Sequence, residues 1–414
     1  MPTSSNGWVS STGVRLTEPL DALDLTDRLR LAVVPDGDGL AAVPEVRDED
    51  GRWRRAHPGD GAAEALLDVL SRGSASRGAF TVQSWSSRIA KGERSVGVDQ
   101  TNESVIVGDV AVVKWATHLQ EGPHPAPRRL GVLRDAGFGG MPGPWGLVTW
   151  TSPGGAETLV AGVDDYLPGA VDGWTWAVDM ITAAARDHDT TPLVAAAAEV
   201  GNVVAELHAA LSETMAVASR HDAERWRDSA LGTLETVCAV GDSASAAEAR
   251  ARRGDIEATL RGLGDLAGTP VIEGHGDLHV GQVLRSRGRF VVTDFDGNPV
   301  LAAPQRILPI PAALDVAGMI QSLVHAGIVA AKYTALEPAA LTHVEMSGRT
   351  AFLSAYTQRL TTLGQRDLYD PAPLRAFRVQ QVLREIIYAA RHLPRWMFVP
   401  DAALPAVLDE GTDS

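Results

Sequence analysis

The alternation of apolar and polar residues predicts that the first 170 positions are rich in β-structure. Short apolar stretches alternate with polar residues and are separated by turns such as Asp36-Gly37-Asp38-Gly39 and Gly108-Asp109. The predicted strands are residues 28–34, 40–46, 104–107, 110–115, 147–150 and 159–166. Two stretches, 62–70 and 128–136, have helical spacing instead. A small sheet with one helix therefore precedes a second β-rich segment.

Helical periodicity dominates residues 174–266 and 311–393. Within 200–211, for example, apolar residues recur at 200, 203, 204, 207 and 211, which is one face of a helix. Asp172-Gly173 can cap a helix, and residues 241–250 predict a loop or a weak helix start. A short β insert is expected near 275–295. A β-rich region followed by a helical region with such an insert favours an α+β, two-lobed protein-kinase-like fold.

The expected domains follow from this order. We expect residues 1–90 to form an N-terminal subdomain, residues 91–170 a β-rich N-lobe, and residues 171–414 a mainly helical C-lobe. A chain of 414 residues is long enough for two or three domains.

Net charge and composition limit the kinds of partner that we expect this protein to bind. A net charge of −15 argues against a nucleic-acid surface, because the phosphate backbone would be repelled. The single cysteine, Cys238, excludes an internal disulfide and fits a reducing cytoplasm. The start lacks the pattern of a secretory signal, and no apolar stretch approaches the ~18 residues of a membrane span. We expect a cytoplasmic monomer or dimer that contacts neither nucleic acid nor membrane.

The stretch GHGDLHVGQVL, residues 274–284, carries the candidate chemistry. Asp277 would act as the catalytic base, and Gln282, five residues later, offers an amide oxygen to Mg²⁺. After an apolar run, Asp294 offers a carboxylate to the metal, and Asp296 shares that metal or faces the substrate. This order of base, first ligand, strand and second ligand is typical of phosphoryl transfer from a nucleotide. The alternatives are a loop aspartate that caps a turn and a plain strand-end turn at DGNP.

His275 and His279 have the four-residue spacing of a helical zinc pair. Gly276 and Gly281 argue against a helix here. We therefore expect His275 to be structural and to bond to backbone near the loop.

Nucleotide contacts are expected upstream. Lys114, at the end of a predicted strand, resembles the kinase lysine that holds the α- and β-phosphates. Asn102 and Ser104, in QTNES, would form the loop over the phosphates, although the stretch has no GxGxxG pattern. The alternatives are an exposed strand lysine and an ordinary hairpin turn.

The chain resembles the maltokinase branch of the aminoglycoside-phosphotransferase-like kinases over roughly residues 90–400. The motifs that carry the resemblance are NESVIVGDVAVVKW, DDYLPGAVDGW, NVVAELHAAL, HGDLHVGQVL, VVTDFDGNP, LDVAGMIQSL and REIIYAARHLPRW. It implies that residues 1–90 are a cap subdomain, that residues 91–170 bind nucleotide and that residues 171–414 hold the catalytic and sugar-binding site. It also implies ATP and Mg²⁺ as cofactors, with the linker 164–168, including Asp165, Tyr166 and Leu167, running past the adenine. The HPE-like segment of maltokinases is missing, which leaves Glu121 as the nearest acidic candidate to pair with Lys114.

The motif VVTDFDGNP departs from the maltokinase pattern. Maltokinases carry DFEGEP where this chain has DFDGNP at 294–299. With GHGDLHVGQ it looks instead like the actinobacterial glucosamine kinases of the same group. That resemblance implies ATP-dependent phosphorylation of the small amino sugar D-glucosamine at its 6-hydroxyl. Asp277, Asp296 and Glu385 would attract its ammonium group, and Asn298 changes the hydroxyl-binding pattern.

The tail resemblance adds Tyr388, His392 and Trp396 as residues that would close the sugar pocket with Glu385. Tryptophan is also common in cores and interfaces, so a packing role for Trp396 stays open. The rival functions are a maltokinase forming maltose 1-phosphate, an aminoglycoside phosphotransferase, a nucleotide-binding regulator without transferase activity, and a metal-dependent hydrolase that needs no ATP.

Overall fold

The computed structural model describes residues 18–37, 39–96, 103–241 and 243–410. The chain divides into two compact units, Met1–Pro123 with Pro144–Tyr166 and His124–Gly143 with Leu167–Ser414. The last boundary falls between Tyr166 and Leu167, inside the predicted linker. Residues 124–143 belong to the helical unit, whereas the sequence had placed them in the β-rich segment.

The first unit contains a four-stranded sheet in the order β1-β2-β3-β4 and a seven-stranded sheet in the order β5-β6-β10-β11-β9-β8-β7. Its elements are β1 Asp21–Thr26, β2 Leu29–Asp36, β3 Gly39–Arg47, β4 Trp53–Arg55, α1 Ala62–Ser71, β5 Ala75–Arg77, β6 Phe80–Ser84, β7 Glu93–Ser95, β8 Glu103–Val107, β9 Ala111–Trp115, β10 Pro144–Thr151 and β11 Glu157–Asp165. All recorded strand pairings are antiparallel. The predicted hairpins of β2 with β3 and of β8 with β9 are present.

One hydrophobic core joins the two sheets of this unit. It contains Leu31 of β2, Leu66 of α1 and Val82 of β6, together with Trp115 and Trp150, all almost fully buried. The predicted cap and the following β-rich segment therefore share a core rather than forming separate ones. The division into a cap and a nucleotide-binding lobe stays a prediction about function.

The second unit is mainly helical. Its helices are α2 Ala126–Asp135, α3 Gly173–Asp187, α4 Thr191–Ala210, α5 Arg220–Ala239, α6 Ala244–Ala251, α7 Arg253–Arg261, α8 Ala303–Arg306, α9 Ala312–Tyr333, α10 Pro338–Thr362, α11 Leu374–His392 and α12 Phe398–Asp409. Its strands form two small antiparallel pairs, β12 Ala216–Val217 with β13 Pro270–Val271 and the hairpin of β14 Val283–Ser286 with β15 Arg289–Val292. The β14–β15 pair is the predicted insert, and the whole is the α+β mixture that the sequence predicted.

Caps define several helix starts. Asp172 accepts the N–H of Thr175 at 3.0 Å and begins α3, as predicted. Ser243 accepts the N–H of Ala246 at 3.1 Å and begins α6, so residues 244–251 form a helix within the stretch that the sequence left as loop or helix start.

Helix α9 lies at the centre of the helical unit and packs against α3, α10, α11 and α12. Among the described residues, Thr191–Thr214 and Ala312–Tyr333 are long and apolar enough to cross a membrane by length and composition alone. The sequence analysis expected no stretch of this kind. In α9 the apolar window is 83% buried inside the protein, which is typical of a core helix.

Candidate active site

The candidate catalytic loop follows β13 and is anchored on one face of α9. Asp315 accepts the N–H of His275 with Oδ2 and the N–H of Gly276 with Oδ1, both at 2.8 Å. Seven residues further along the helix, the hydroxyl of Ser322 accepts the N–H of Val280 at 2.8 Å. Positions spaced by three or four residues share a helix face, so α9 positions the loop along two turns.

Two glycines let the backbones approach closely. A Cβ on Gly318 of α9 would lie 2.1 Å from the carbonyl oxygen of Leu278. A Cβ on Gly173, at the start of α3, would lie 1.7 Å from the carbonyl oxygen of Val280. Since no real side chain tolerates such distances, the loop in this position requires glycine at both sites.

The buried Asp315 is itself held by a polar chain. Nε2 of His208 lies 3.3 Å from Oδ2 of Asp315, and its Nδ1 lies 2.8 Å from the hydroxyl of Tyr356. Burial alone would raise the pKa of Asp315, but the hydrogen bond and charge of His208 and the N–H of Gly276 outweigh it and the pKa lies below its usual value. Asp315 is therefore an ionised acceptor for the loop backbone.

His275 is structural, as predicted. Its ring is fully buried, with Nε2 3.0 Å from the carbonyl oxygen of Thr293 and Nδ1 3.4 Å from the N–H of Asp277. His279 turns back on its own loop by accepting the N–H of Gly281 at 3.0 Å. Among the described residues, no group of three or more His, Cys, Asp or Glu side chains could hold a metal ion.

Asp277 is a half-buried carboxyl with an unusual proton affinity. Burial, followed by the neighbouring charge of Asp294, raises its pKa to about 7, although Arg384 and Arg306 oppose the shift. A carboxyl whose pKa lies near neutrality is suited to accept a proton in a reaction. The sequence identified Asp277 but missed the two arginines that face it.

The two predicted metal ligands lie together. Nε2 of Gln282 is 3.3 Å from Oδ2 of Asp294, at the point where β15 ends. Asp294 has a φ of +67°, a left-handed conformation that costs energy for any residue other than glycine and that Asp and Asn adopt most readily. The strand end is thus turned so that an amide and a carboxylate share one side of the loop.

Asp296 and Asn298 lie in the turn that follows. Nε2 of His124 lies 4.0 Å from Oδ1 of Asp296. Burial and then the charges of Arg306 and Arg129 lower the pKa of His124 to about 4, so this contact joins a neutral ring to a carboxylate. Asn298 is buried and accepts the N–H of Val300 at 3.0 Å, which is the turn chemistry that the sequence kept as an alternative.

Arg129 of α2, which the sequence pattern did not single out, links the loop of His275 to the turn after β15. Its guanidinium donates to the carbonyl oxygens of His275 at 3.0 Å, Phe295 at 3.1 Å and Arg306 at 2.9 Å. The side chain is 2% exposed, and burial lowers its pKa to about 10. The only signal in the sequence was an arginine pair, residues 128 and 129, on a predicted helix.

Glu385 is the predicted sugar-binding residue of α11 that interacts with Asp277. Its carboxylate interacts electrostatically with Asp277, and burial raises its pKa to about 8. Nδ1 of His325 lies 3.1 Å from Oε2 of Glu385, and Nε2 of Gln381 lies 3.1 Å from Oε1. Glu385 is therefore held on α11 close to the base.

The aromatic residues predicted to bind sugar lie at the end of α11 and after it. Tyr388 is half exposed and its ring centroid lies 5.1 Å from that of His392. Trp396, in a short 3₁₀ helix, stacks on Phe398 at 5.7 Å. Packing of Trp396 on a neighbouring aromatic ring is the alternative that the sequence kept open, and its contact with sugar stays a prediction.

The predicted nucleotide residues of the first unit cluster on β8, β9 and β11. Lys114 pairs in register with Ser104 and with Gly162. Its Nζ lies 3.4 Å from Oδ2 of Asp164, which replaces Glu121 as its acidic neighbour. Burial raises the pKa of Asp164 although the charge of Lys114 opposes it. The sequence missed this pair because it had assigned Asp164 to the linker.

The linker residues use their side chains locally. Oδ1 of Asp165 accepts from Arg88 at 2.5 Å and from the indole of Trp145 at 2.8 Å. The guanidinium of Arg94 lies 5.3 Å from the ring centroid of Tyr166. Leu167 begins the second unit, and its carbonyl oxygen accepts the N–H of Ala170 at 3.3 Å. The predicted Asn102 lies outside the described residues.

Fold and site together define a class of protein. The His-Gly-Asp loop carries Asp277, whose pKa is raised to about 7, and the amide–carboxylate pair of Gln282 and Asp294 follows it. These are parts of a kinase-like phosphotransferase. The protein is an enzyme of that class, as the sequence predicted. The chain belongs to the glucosamine kinase family.

Two curated relatives carry this assignment. The chain is 64% identical over 398 residues to a glucosamine kinase of Mycolicibacterium smegmatis, covering 95% of this chain and 99% of the relative. It is 43% identical over 403 residues to a glucosamine kinase of Streptacidiphilus jiangxiensis, covering 94% and 91%. No family model matches.

Solved structures agree. A glucosamine kinase in complex with glucosamine, ADP and inorganic phosphate superposes with a TM-score of 0.84 at 40% identity and covers 95% of each chain. A second glucosamine kinase structure, crystal form A, gives a TM-score of 0.83 at 41% identity and covers 94% of this chain and 91% of the other. The predicted kinase-like α+β fold and the resemblance to actinobacterial glucosamine kinases are confirmed.

Proposed function

We propose that this protein transfers the γ-phosphoryl group of ATP to the 6-hydroxyl of D-glucosamine, which gives glucosamine 6-phosphate and ADP. The observation that carries the proposal is the 64% identity over 398 residues to a glucosamine kinase, and the electrostatic interaction between the carboxyl groups of Asp277 and Glu385 supports it. The relative that was solved with glucosamine, ADP and inorganic phosphate supports both substrates.

In the reaction, the oxygen of the sugar hydroxyl forms a bond to the γ-phosphorus while the bond from that phosphorus to the ADP oxygen breaks. The hydroxyl proton passes to the carboxylate of Asp277. Arg384 and Arg306 face Asp277 and stabilise its charged form, which is the form that can accept the proton. Asp315 and Arg129 fix the backbone of His275 and Gly276 just before the base, and Ser322 holds the backbone of Val280 after it.

Gln282 and Asp294 fit a magnesium ion. Asp294 offers carboxylate oxygens, and the amide of Gln282, whose nitrogen donates to Asp294 at 3.3 Å, would supply its oxygen to the ion. Mg²⁺ is commonly held by one or two protein groups with phosphate oxygens and water completing its shell. When bound, the ion would neutralise charge on the phosphates. Lys114 would bind the α- and β-phosphates, with Ser104 and Asn102 nearby in the chain. Asp165, Tyr166 and Leu167 would pass the adenine and contact it through their backbone.

Acceptor recognition follows from charge. Glucosamine is cationic near neutral pH, and Asp277, Asp296 and Glu385 place carboxyl groups in or next to the site. An ammonium bound beside Asp277 and Glu385 would lower their raised pKa values, and the ionised carboxylates then favour it over a neutral disaccharide such as maltose. Asn298, Tyr388, His392 and Trp396 would complete the sugar pocket.

The test is an acceptor panel with purified protein, ATP and MgCl₂, using glucosamine, glucose, maltose and an aminoglycoside, with product identified by NMR. We expect phosphate on O6 of glucosamine. Transfer to maltose with none to glucosamine would instead favour a maltokinase, and transfer to the antibiotic a resistance enzyme. ADP release that no acceptor stimulates would favour a regulator, and hydrolysis of substrate without ATP would favour a hydrolase.

A further inference from the structure

A chain of buried polar side chains runs from the C-terminal end of α12 to Glu385. Nδ1 of His325 lies 3.1 Å from Oε2 of Glu385, and Nε2 of His325 lies 3.0 Å from Nε2 of Gln321. Oε1 of Gln321 accepts from Nε of Arg378 at 3.1 Å, and Arg378 donates to Glu410 at 2.9 Å. The three middle side chains are at most 7% exposed, so each must find its partners within the protein.

The direction of each hydrogen bond in this chain is determined by its chemistry. Arginine only donates, so the atom of Gln321 that faces Arg378 is the carbonyl oxygen. The amide nitrogen of Gln321 therefore donates to Nε2 of His325, which must be the unprotonated nitrogen of that ring. The ring proton lies on Nδ1 and points at Glu385.

The imidazole of His325 is neutral. Burial, and then the charges of Arg378 and His279, lower its pKa to about 3. A neutral ring has one N–H, and here the amide of Gln321 specifies which nitrogen carries it. The ring therefore presents a hydrogen-bond donor, without a full charge, to Oε2 of Glu385.

At the end of this hydrogen-bond series that is remote from Glu385, Glu410 is held by two arginines. Arg378 donates to both carboxylate oxygens of Glu410, which also accepts from Nη1 of Arg349 at 2.8 Å. At the near end, Gln381 donates to Oε1 of Glu385 at 3.1 Å. Each carboxylate oxygen of Glu385 thus accepts one hydrogen bond, one from α9 and one from α11, which fixes the plane of the group.

We propose that His325 is a positioning residue for acceptor selection. Once the ammonium of the sugar favours the ionised form of Glu385, His325 holds that carboxylate as an acceptor oriented toward the amino group. Gln321 and Arg378 keep the proton of His325 on the required nitrogen. This inference rests on the proposed function. Glu385 contacts the sugar, and His325 acts only through Glu385.

The test compares His325→Leu with His325→Asn. Leucine removes the donor, whereas the amide nitrogen of asparagine can take the place of Nδ1. For His325→Leu we expect the KM for glucosamine to rise about tenfold, as for the loss of one hydrogen bond to a charged group, with the KM for ATP unchanged. His325→Asn should restore most of the loss. With the neutral competitor glucose, the preference for glucosamine in kcat/KM should fall about tenfold in His325→Leu.

Ser245→Ala is the control, because it also removes a buried polar group. The hydroxyl of Ser245 lies near Ser243 and Met397 and is not part of the hydrogen-bond series that ends at Glu385. If His325→Leu melts at a lower temperature but keeps the sugar preference of Ser245→Ala, His325 is merely structural and the proposal is overturned. Should His325→Leu fail to fold, Gln321→Met leaves the histidine in place without fixing its proton. A smaller loss of preference in the same direction is then expected, and unchanged preference would overturn the proposal.

The unaltered protein separates the two hypotheses. If it does not phosphorylate glucosamine, the proposed function fails and the role of His325 fails with it. If it phosphorylates glucosamine and both substitutions leave the selectivity unchanged, only the role of His325 fails.

Discussion

Asp315 holds the backbone of His275 by accepting its N–H at 2.8 Å from a fully buried position on α9. Through the adjacent N–H of Gly276, the same carboxylate fixes the residue that precedes Asp277. The position of the proposed base is thus set by a helix that carries no reacting group. A displacement of about 1 Å at a reacting group can cost about 10²-fold in rate, so this anchoring has functional weight.

Asp315→Asn should lower kcat by about 10²-fold, because the amide nitrogen cannot accept and one loop N–H loses its partner. Nucleotide affinity should change little, since Asp315 is fully buried and bonds to His275, Gly276 and His208. Steady-state kinetics with nucleotide titration would separate the two. Asp228→Asn on the exposed side of α5 is the matched control, and an equal loss there would contradict the anchoring role.

Arg129→Lys should destabilise the protein by about 3 kcal/mol. Lysine cannot donate to three carbonyl oxygens in the geometry of the guanidinium, and buried carbonyls left without partners cost about 1–3 kcal/mol each. Urea unfolding followed by fluorescence would measure the change. Arg128→Lys, the exposed neighbour that pairs with Glu273, is the control, and it should stay close to the unaltered protein.

Asp277→Asn should abolish most turnover and retain ATP binding, because it removes the proton acceptor. It should also stabilise the fold above neutral pH. Burial raises the folded-state pKa of Asp277 to about 7 from its usual 3.8, so folding favours the protonated form. That contribution is full below about pH 4 and is lost as the pH rises through about 7, where a desolvated charge remains.

Asparagine carries no such charge, so the gain in melting temperature of Asp277→Asn should be near zero at pH 4 and grow toward pH 8. Calorimetry across that range would test the sign. A gain that shrinks with rising pH would contradict the raised pKa, and retained turnover would exclude Asp277 as the base.

The sequence could predict what is local. Asp277, Gln282 and Asp294 lie within 18 residues of one another, and Gln282 does contact Asp294 at 3.3 Å. Strand alternation gave the hairpin of β8 and β9 nearly to the residue. Asp315 lay inside a recognised motif, but a helical aspartate has no signature that names its partners.

Contacts between residues that are far apart in sequence could not be predicted. Arg129 meets His275 from 146 residues away, and nothing in an arginine pair on a helix reports which carbonyls it will find. Lys114 pairs with Asp164 because β9 and β11 are neighbours in the sheet, although β10 lies between them in sequence. The strand order, rather than the strand positions, determines that pair, and sequence periodicity does not give strand order.

Asp294→Asn should keep the loop conformation, because asparagine tolerates the left-handed φ of +67° that Asp294 adopts. It should weaken ATP binding in the presence of MgCl₂ and leave binding in EDTA unchanged, since only the metal-dependent part uses the carboxylate. Calorimetric titration in both buffers measures the difference. Equal weakening in the two buffers would place Asp294 on the nucleotide itself rather than on the metal.

Lys114→Met should raise the KM for ATP and leave the KM for glucosamine unchanged. Methionine keeps the length of the side chain but removes the charge that would bind the phosphates. Asp164→Asn tests whether the neighbouring carboxylate matters. At 3.4 Å it orients the ammonium only partly, because Lys114 is 41% exposed and water screens the pair. We therefore expect a smaller rise in the KM for ATP with Asp164→Asn than with Lys114→Met. A larger effect of Asp164→Asn would mean that the carboxylate contacts the nucleotide directly, and an effect of either substitution on the KM for glucosamine would contradict the assignment of this strand pair to ATP.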